Sequence, residues 1–487
     1  MRIAIVYGCL IALQLSCDEG QIQPIAESPF RKVTLDGAPG EPMGLAVLPD
    51  GRILHTTRNG NVWLHADGNR TLAAHFAVYG HDEEGLQGIA IDPAFTQNAW
   101  VYLYYSPALE TPVDDPNTPV AEGEAPLVGA EAPRAAFAGY LRLSRLRLEG
   151  AELAMGSEQV LLEVPADRGV CCHLAGQIDF DAAGNLYLST GDDTNPFQSD
   201  GFAPIDERPD GHPAFDAQRT SANTNDLRGK LLRIRVQEDG TYAIPEGNLF
   251  APGTPGTRPE IYAMGLRNPF RFAVDRQSSR VLLADYAPDA SVTDALRGPP
   301  ATGKWLAITE PGNYGWPYCA DAQAPYVDFD FATSTSGSAF NCRAPRNESP
   351  LNTGALALPA VAPALLTYSY EESARWPELG SGGVAPMAGP AYAYDPAVGS
   401  AVKWPERLSG IPLFYDWARD LVAALHRGES GEIERIEVLT GAFQVDNPID
   451  MEFGPDGALY VLEYGDGQRT ANPDAQLSRI EYIAGAE

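Results

Sequence analysis

The chain has 487 residues, of which 44% are hydrophobic, so it can bury a sizeable core and is not disordered as a whole. Its 48 glycines and 41 prolines favour many turns between short strands over long helices. Lysine and arginine number 34 against 65 aspartates and glutamates, which gives a net charge of −31. Because binding to a phosphate backbone requires a basic surface, this charge argues against nucleic acid as a partner.

The first residues predict export. In residues 1–16 the basic Arg2 precedes a mostly apolar run that is too short to span a bilayer, as in a signal peptide. Cys17 then stands where a bacterial lipoprotein carries its acylated cysteine, although Gln14 replaces the apolar residue usual in that motif. We therefore expect a periplasmic or cell-surface protein, and a lipid on Cys17 is left open as its one membrane attachment.

The remaining sequence predicts one domain. Residues 17–41 are expected to form an exposed lead-in, and residues 42–487 a single folded domain. No linker rich in polar residues divides the second range.

Four cysteines of this domain bear on its redox state. Exported proteins meet an oxidising compartment, where disulfides form and persist. Cys319 and Cys342 bracket one Gly/Ser-rich loop and are candidates to close it. Cys171 and Cys172 are adjacent, so a bond between them would be strained. The sequence leaves both pairings open.

One pattern recurs along the domain: a turn such as Pro-Asp-Gly, then alternating apolar residues, then Gly or Asp. Alternation after a turn is typical of a hairpin strand with one buried face. The spacing leaves room for about four strands per unit, as in a propeller blade. The pattern thus predicts an all-β, six-bladed β-propeller, with a stack of β-sandwiches as the alternative. The six units are LPDGRILHTTRNGNVWLH (48–65), DPAFTQNAWVYLYYS (92–106), FDAAGNLYLSTGD (180–192), VDRQSSRVLLADY (274–286), IPLFYDWARDLVAALHRGESGEIERIEV (411–438) and FGPDGALYVLEYG (453–465).

Three long connections lie between the units, at residues 107–137, 194–226 and 318–360. Long connections in a compact fold are often functional. We expect them to gather over one face of the ring and to shape a site at its axis.

An ordered set of motifs makes the chain resemble the glucose/sorbosone dehydrogenases, soluble quinoprotein sugar dehydrogenases on a six-bladed propeller. The resemblance runs from about residue 42 to residue 483. It implies a small-molecule sugar substrate, hydride transfer to pyrroloquinoline quinone (PQQ), a Ca²⁺ ion that clamps the quinone, and an external electron acceptor. The motifs are EEGLQGIAIDPAF (83–95), CCHLAGQIDF (171–180), LRGKLLRI (227–234), EIYAMGLRNPFRFAVD (260–275), GNYGWP (312–317) and FGPDGALYVLEYG (453–465).

His173 is the candidate general base. A neutral imidazole can accept the proton of a sugar hydroxyl while the carbon gives up hydride, and the resemblance implies this role for His173. Cys172 stands where the best-studied type has an acidic residue, so the sequence identifies no partner that would orient the imidazole. The alternative is a histidine that serves only in a turn.

Arg267 and Asn268 follow a glycine in GLRNP, and the resemblance places both beside the quinone. A planar guanidinium suits a developing oxyanion or a quinone oxygen, so Arg267 is the candidate electrostatic stabiliser. A salt-bridged arginine within a blade is the alternative, and Arg271 fits that alternative better. Glu83 falls in the first long turn. Either it lines the cofactor site, where it would hydrogen-bond a sugar or assist the base, or it belongs to a solvated acidic turn.

The quinone and the metal have further candidate ligands. PQQ carries several carboxylates, yet the segment 446–450, which matches an arginine pair of the family, holds no cation. Arg419 is the candidate replacement that contacts the cofactor. By resemblance the turn Ala287-Pro288-Asp289 would offer oxygen atoms to Ca²⁺.

Two aromatic residues of NYGWP, Tyr314 and Trp316, either stack on a sugar face or pack the base of a blade.

Two other functions compete with the dehydrogenase. One is a catalytically silent propeller that binds glycan or protein through its loop face, which the missing arginine pair favours. The other is a calcium-dependent lactonase, for which no cluster of suitable metal ligands stands out.

Overall fold

The computed structural model describes residues 28–111, 124–129, 131–208, 211, 213–286, 288–467 and 469–483. The predicted signal at 1–16 and Cys17 lie outside these residues, so export and acylation stay predictions. Within the described ranges, no helix combines the length and the apolar character needed to cross a membrane.

Six blades, each built on a four-stranded antiparallel path, confirm the predicted propeller. Blade 6 begins with β1 (Phe30–Asp36); blade 1 holds β2 (Pro42–Val47), β3 (Ile53–Thr57), β4 (Asn61–Ala66) and β5 (Asn69–His75). Blade 2 holds β6 (Leu86–Ile91), β7 (Trp100–Tyr105), β8 (Ala138–Glu149), β9 (Glu152–Leu153) and β10 (Gln159–Asp167); blade 3 holds β11 (Ala175–Phe180), β12 (Leu186–Thr190), β13 (Lys230–Val236), β14 (Tyr242–Ala243) and β15 (Ile261–Met264). Blade 4 holds β16 (Phe272–Asp275), β17 (Arg280–Asp285) and β18 (Gly303–Ile308), followed by the short strands β19 (Gly312–Asn313), β20 (Cys319–Asp321), β21 (Ala324–Pro325), β22 (Val327–Asp330) and β23 (Thr335–Ala339), and is completed by β24 (Leu366–Tyr368). Blade 5 holds β25 (Pro386–Ala391), β26 (Pro412–Asp416), β27 (Leu421–Arg427) and β28 (Ile433–Val438); blade 6 ends with β29 (Pro448–Phe453), β30 (Leu459–Glu463) and β31 (Gln476–Tyr482).

Helices are few and short in the described residues. Two are α-helical, α1 (Phe95–Asn98) and α2 (Glu131–Ala135). The single-turn 3₁₀ segments are Met155–Ser157, Pro213–Phe215, Ala217–Arg219, Pro377–Leu379, Glu406–Leu408 and Trp417–Arg419.

The innermost strand of each blade contacts the innermost strands of its neighbours, which closes the ring: β2, β6, β11, β16, β25 and β29. These strands are mostly buried, and β2, with the sequence PMGLAV, is buried along its whole length. Hydrophobic clusters fill the spaces between blades. Each of the six sequence units lies in a different blade. Each unit contains one turn of its blade and the buried strand beside that turn.

The prediction that residues 17–41 form an exposed lead-in is wrong for residues 30–36. Residues 30–36 form β1, which pairs antiparallel with β31 and completes blade 6 from both ends of the chain. The Phe30 side chain packs edge-on against Trp404 at a centroid distance of 4.9 Å, and Lys32 Nζ lies 2.7 Å from Glu463 Oε2. The propeller therefore begins at β1 and not at residue 42.

The long connections pack together at one end of the ring, as expected. Asn347, in the 318–360 connection, donates from Nδ2 to the carbonyl of Gln218, in the 194–226 connection, at 2.8 Å. Cys319 and Cys342 are disulfide-bonded and close the loop between them. Of the 107–137 connection, residues 112–123 and 130 lie outside the described residues.

Arg271 separates two cavities on the ring axis. Its fully buried guanidinium donates to the carbonyls of Ile449 (2.9 Å), Phe270 (2.9 Å) and Met43, and so joins blades 6, 4 and 1. One cavity, of about 380 Å³, is lined by the far ends of the inner strands. The other lies at the end where these strands begin, beside the long connections.

Candidate active site

The second cavity has a volume of about 290 Å³ and is lined by side chains from all around the ring. Met43 and Met387, at the starts of β2 and β25, give it apolar walls, and charged side chains from the connecting loops surround them. A few polar groups converging in a largely apolar cavity are typical of a small-molecule site. The charged lining residues are Arg58, Asp82, Glu83, Arg267, Asp289 and Arg469, next to His173.

His173 lies on the cavity wall just before β11 and is only 4% exposed. Its Nδ1 lies 2.7 Å from Oδ1 of Asp192. Since a carboxylate only accepts, Nδ1 carries the hydrogen, and in the neutral imidazole the lone pair is then on Nε2. Nε2 has no hydrogen-bond partner among the described residues. The imidazole is thus oriented as a proton acceptor.

The backbone at His173 is unusual. Its φ of +62° lies in the left-handed region, which few residues other than glycine adopt. A Cβ on Gly191 would lie 1.8 Å from the His173 carbonyl oxygen, so only glycine allows the chain to pass there. Gly191 directly precedes Asp192, and this close approach brings the carboxylate to the imidazole.

Asp192 is the partner that the sequence did not identify. The side chain is fully buried, and Oδ2 accepts a hydrogen bond of 2.6 Å from Trp316 Nε1. Burial alone raises the pKa of Asp192, but the neighbouring His173, its hydrogen bond and Arg267 together hold that pKa below its usual range. Asp192 is therefore ionised and supports positive charge on His173. The available signal was the run Gly-Asp-Asp directly after β12.

Arg267 also lines this cavity. The backbone N–H of Arg267 donates to Asp285 Oδ1 at 3.0 Å, as does that of Asn268 at 2.9 Å. Asp285 is 1% exposed and also lies 3.4 Å from Lys304 Nζ. The guanidinium, on a side chain 4% exposed overall, makes no hydrogen bond or ion pair with the described residues; its Cζ lies 5.8 Å from the ring centroid of Trp316. A buried cation without a carboxylate partner calls for an anionic or strongly polar ligand.

Asn268 and Glu83 complete the group. Asn268 Nδ2 donates to Glu83 Oε2 at 3.3 Å, and the same oxygen accepts the backbone N–H of Leu174 at 3.2 Å. Asn268 Oδ1 is buried and has no partner within the described part of the chain. The structure thus brings together four of the predicted site residues, His173, Arg267, Asn268 and Glu83, and leaves one acceptor unsatisfied among them.

The turn expected to bind calcium borders this cavity. Asp289 is exposed and contributes to the lining, and the buried Pro288 lies beside it. Ala287 falls outside the described residues, so its ligand role stays a prediction.

Arg419 lies apart from the other predicted residues. Its guanidinium donates to backbone carbonyls of the 369–383 loop, among them Gly383 at 2.6 Å and Ser369 at 2.7 Å, and its Cζ lies 4.7 Å from the ring centroid of Tyr368. It is not among the residues that line the cavity. Its charge is committed to holding a loop of blade 5, which no local sequence pattern could reveal.

Two arginines that the sequence did not single out supply cations to the wall instead. Arg469 forms an ion pair with Asp82, and Arg58 donates to Glu41 Oε1 at 2.6 Å. Arg58 NH2 also donates to the carbonyl of Arg469 at 3.3 Å. These contacts tie blade 1 to the β30–β31 connection, so blades 1 and 6 meet at the cavity wall.

The sulfurs of the adjacent Cys171 and Cys172 are in contact, and Cys172 lines the cavity next to His173. Arg469 NH2 lies 3.4 Å from the first sulfur and 3.6 Å from the second. With Asp82, these cysteines are the one group of metal-ligating side chains found in the described ranges.

Tyr314 and Trp316 are buried, at 7% and 3% exposure. Trp316 is engaged with Asp192, as described above, and its ring packs edge-on against Tyr326 at 5.8 Å. Of the two sequence-based interpretations, packing within the protein holds and stacking on a sugar does not.

A buried histidine–aspartate pair lies beside an arginine that has no partner in the described part of the chain, in the axial cavity of a six-bladed propeller. This arrangement defines a propeller with an enzyme-like site. Residues 40–345 match the family model described as Glucose / Sorbosone dehydrogenase. The chain belongs to this family.

Individual relatives are more distant. The chain is 26% identical to aldose sugar dehydrogenase YliI of Escherichia coli (strain K12) over 281 residues, which cover 57% of this chain and 58% of the relative. It is 28% identical to human Hedgehog-interacting protein over 207 residues, 42% of this chain and 24% of that protein. The chain thus spans less than two thirds of either relative.

Solved structures share the fold. The soluble aldose sugar dehydrogenase of Escherichia coli in its apo form has a TM-score of 0.56 at 18% identity, covering 93% of this chain and 99% of that one. The PQQ-bound form of aldose sugar dehydrogenase from Streptomyces coelicolor has a TM-score of 0.54 at 18% identity, covering 94% and 99%.

Proposed function

We propose that the chain is an exported quinoprotein-type dehydrogenase that oxidises an aldose or a related sugar at C1, with His173 as general base. The observation that carries the proposal is the buried guanidinium of Arg267, which has no hydrogen-bond or ion-pair partner among the described residues, beside the His173–Asp192 pair. Family membership and the name of the Escherichia coli relative support the same reaction.

The cavity residues fit a quinone such as PQQ, the group that the Streptomyces structure contains. Arg267 offers unused N–H donors to a quinone or carboxylate oxygen, and the orphaned Asn268 Oδ1 offers an acceptor. Arg58 and Arg469 add positive charge to the wall, although carboxylates already pair with both. Asp289 and the turn that precedes it would supply oxygen ligands to Ca²⁺.

The chemistry follows from the positions of the side chains. When bound, PQQ supplies the acceptor of the hydride that leaves C1 of the sugar. His173 Nε2 accepts the proton of the C1 hydroxyl as the carbonyl forms. Asp192 stabilises the resulting imidazolium, and Arg267 stabilises negative charge that develops on oxygen in the cavity. Electrons then pass to an external acceptor.

Reconstitution with PQQ and Ca²⁺, followed by dye reduction with a panel of aldoses, tests the proposal. We expect turnover that falls by at least about 100-fold in His173→Ala, since general bases contribute that much or more. His75→Ala is the matched control, because His75 is exposed and bonds Asn61 on the outside of blade 1. A protein that binds no PQQ, or a His173→Ala variant with unchanged turnover, contradicts the proposal.

A second candidate is a propeller that binds glycan or protein through its loop face without turnover. It is favoured by the engagement of Arg58 and Arg469 with carboxylates, which leaves fewer free cations for a quinone. Saccharide binding with no PQQ binding would support it.

Export is the remaining part of the proposal, and the leader at 1–16 supports it. Acylation at Cys17 predicts that the full-length chain incorporates labelled palmitate and that Cys17→Ser does not. An unlabelled, uncleaved chain in the cytosolic fraction contradicts export.

A further inference from the structure

Phe197 has the largest exposed fraction of the large hydrophobic side chains in the described residues, at 72%. Single exposed apolar side chains are common on protein surfaces. This one lies on the lining of the active-site cavity, together with Pro196, His173 and Arg267. Its ring is therefore presented to solvent at the mouth of the cavity.

The loop that carries Phe197 is held in place on both sides. The Phe197 N–H donates to Asn195 Oδ1 at 3.0 Å, and the Asn195 N–H donates to the Ala214 carbonyl at 2.7 Å. Further along, Arg297 NH2 donates to the carbonyl of Ser199 at 2.8 Å. The exposure of the ring is thus a property of an anchored loop and not of a fraying segment.

A second anchor joins this loop to the turn expected to bind calcium. The Ala290 N–H donates to the Gly201 carbonyl at 3.0 Å, and Gly201 has a φ of +77°. A Cβ at that position would lie 2.3 Å from Ala290 N, so the close contact requires glycine. The position of Phe197 is therefore fixed relative to Asp289 on the same cavity wall.

The other described aromatic side chains at the cavity, Tyr286 and Tyr464 among them, are less exposed than Phe197. Tyr314 and Trp316 are buried in the protein, and Phe270 is 9% exposed. Trp417 lines the cavity but is only partly exposed, with its ring against Tyr464 at 6.2 Å.

We propose that Phe197 is the platform on which the apolar C–H face of an aldopyranose packs while C1 faces His173, an inference that rests on the proposed function. A pyranose has hydroxyls around its edge and C–H groups on its faces. An exposed aromatic ring at the mouth of a polar cavity complements both: the ring covers the face, and the cavity binds the edge. Phe197 is thereby a specificity-determining residue for six-membered sugar rings.

The kinetic test compares Phe197→Ala, Phe197→Tyr and a matched control in the PQQ- and Ca²⁺-reconstituted protein. Loss of the aromatic face should raise KM about tenfold and change kcat less than about twofold. Phe197→Tyr, which keeps a planar ring, should restore KM. Leu296→Ala is the control, because Leu296 is 64% exposed and does not line the cavity. All variants should keep the melting temperature, since neither side chain is buried. An unchanged KM in Phe197→Ala overturns the inference.

A binding test separates this inference from the proposed reaction. Methyl pyranosides of the gluco, galacto, manno and xylo series cannot be oxidised at C1, because a methyl group blocks the hydroxyl. Saturation-transfer NMR, with and without PQQ, should show binding to the wild type and to Leu296→Ala, and about tenfold weaker binding to Phe197→Ala.

The outcomes are distinguishable. Glycoside binding that depends on Phe197, with no dye reduction by any aldose, refutes the proposed reaction and supports the platform. Equal binding by the wild type and Phe197→Ala, or no binding by the wild type in either state, overturns the platform.

Discussion

Proton transfer at this site depends on the carboxylate of Asp192. It accepts hydrogen bonds from His173 Nδ1 and Trp316 Nε1, and it lies in the protein interior with its pKa held low. An ionised partner on Nδ1 fixes the tautomer in which Nε2 accepts a proton, and it stabilises the imidazolium afterwards.

We expect Asp192→Asn to lower kcat by at least about 100-fold with a smaller effect on KM, because an amide can donate to Nδ1 and so stabilise the wrong tautomer. Steady-state dye reduction measures both constants. Asp67→Asn, at an exposed turn where φ is +51° and asparagine is well tolerated, is the control. An Asp192→Asn variant with near-normal kcat would remove His173 from the role of base.

Arg267 and Arg419 differ in what their guanidinium groups contact. The Arg267 guanidinium makes no hydrogen bond to the described residues, whereas the Arg419 guanidinium donates to several backbone carbonyls. Arg267→Gln should weaken PQQ binding at least about tenfold and leave the free energy of unfolding nearly unchanged. Arg419→Gln should do the reverse, with a loss of about 2 kcal/mol in the free energy of unfolding. Quinone titration and urea unfolding measure the two effects, and parallel changes in both variants would contradict the assignment.

Among the elements, the long connections over the cavity are joined by a buried carboxylate. Asp216 Oδ1 accepts the Gln218 N–H at 2.9 Å, and Oδ2 accepts the Ser349 hydroxyl at 2.9 Å. Burial raises the pKa of Asp216 from 3.8 to about 6. The folded state therefore holds this proton more tightly than the unfolded chain does, so the contribution to stability is complete below about pH 4 and is lost as the pH rises through 6.

Asp216→Asn should consequently make the melting temperature less dependent on pH between about pH 4 and 7, since an amide does not titrate. Asp226→Asn is the control. Burial alone raises the pKa of Asp226, but Arg228 and Lys230 lower it to about 2, so its replacement should shift the melting temperature by the same amount across that range. Parallel pH profiles of the wild type and Asp216→Asn would show that Asp216 is ionised at pH 4.

The elements also show how far the sequence could predict the fold. The six blades were predictable because each contains a tight turn next to a strand of alternating apolar residues. β1 was not, because it is a single edge strand with three of its seven residues exposed. Its partner β31 lies at the other end of the chain, and no local pattern records that pairing.

Part of the site was also predictable from the sequence. His173, Arg267, Asn268 and Glu83 sit within motifs, so resemblance located them together. Asp192 lies in the loop that follows β12, and Arg469 reaches the cavity from blade 6, so the positions of both depend on the way the ring brings distant segments together.

The charge of the whole molecule bears on the acceptor of the electrons. A net charge of −31 attracts cations towards the protein and repels anions, and salt screens both effects. Raising the ionic strength from about 0.01 M to about 0.2 M should therefore slow reoxidation by a cationic acceptor such as phenazine methosulfate by roughly tenfold and speed reoxidation by anionic ferricyanide. The KM of a neutral sugar is the internal control, because screening does not act on an uncharged substrate. Stopped-flow reoxidation of the sugar-reduced protein measures the rates directly. Reversed salt effects, with faster reoxidation by phenazine methosulfate and slower reoxidation by ferricyanide at high ionic strength, would mean that local positive charge at the cavity mouth, where Arg58, Arg267 and Arg469 lie, overrides the charge of the molecule.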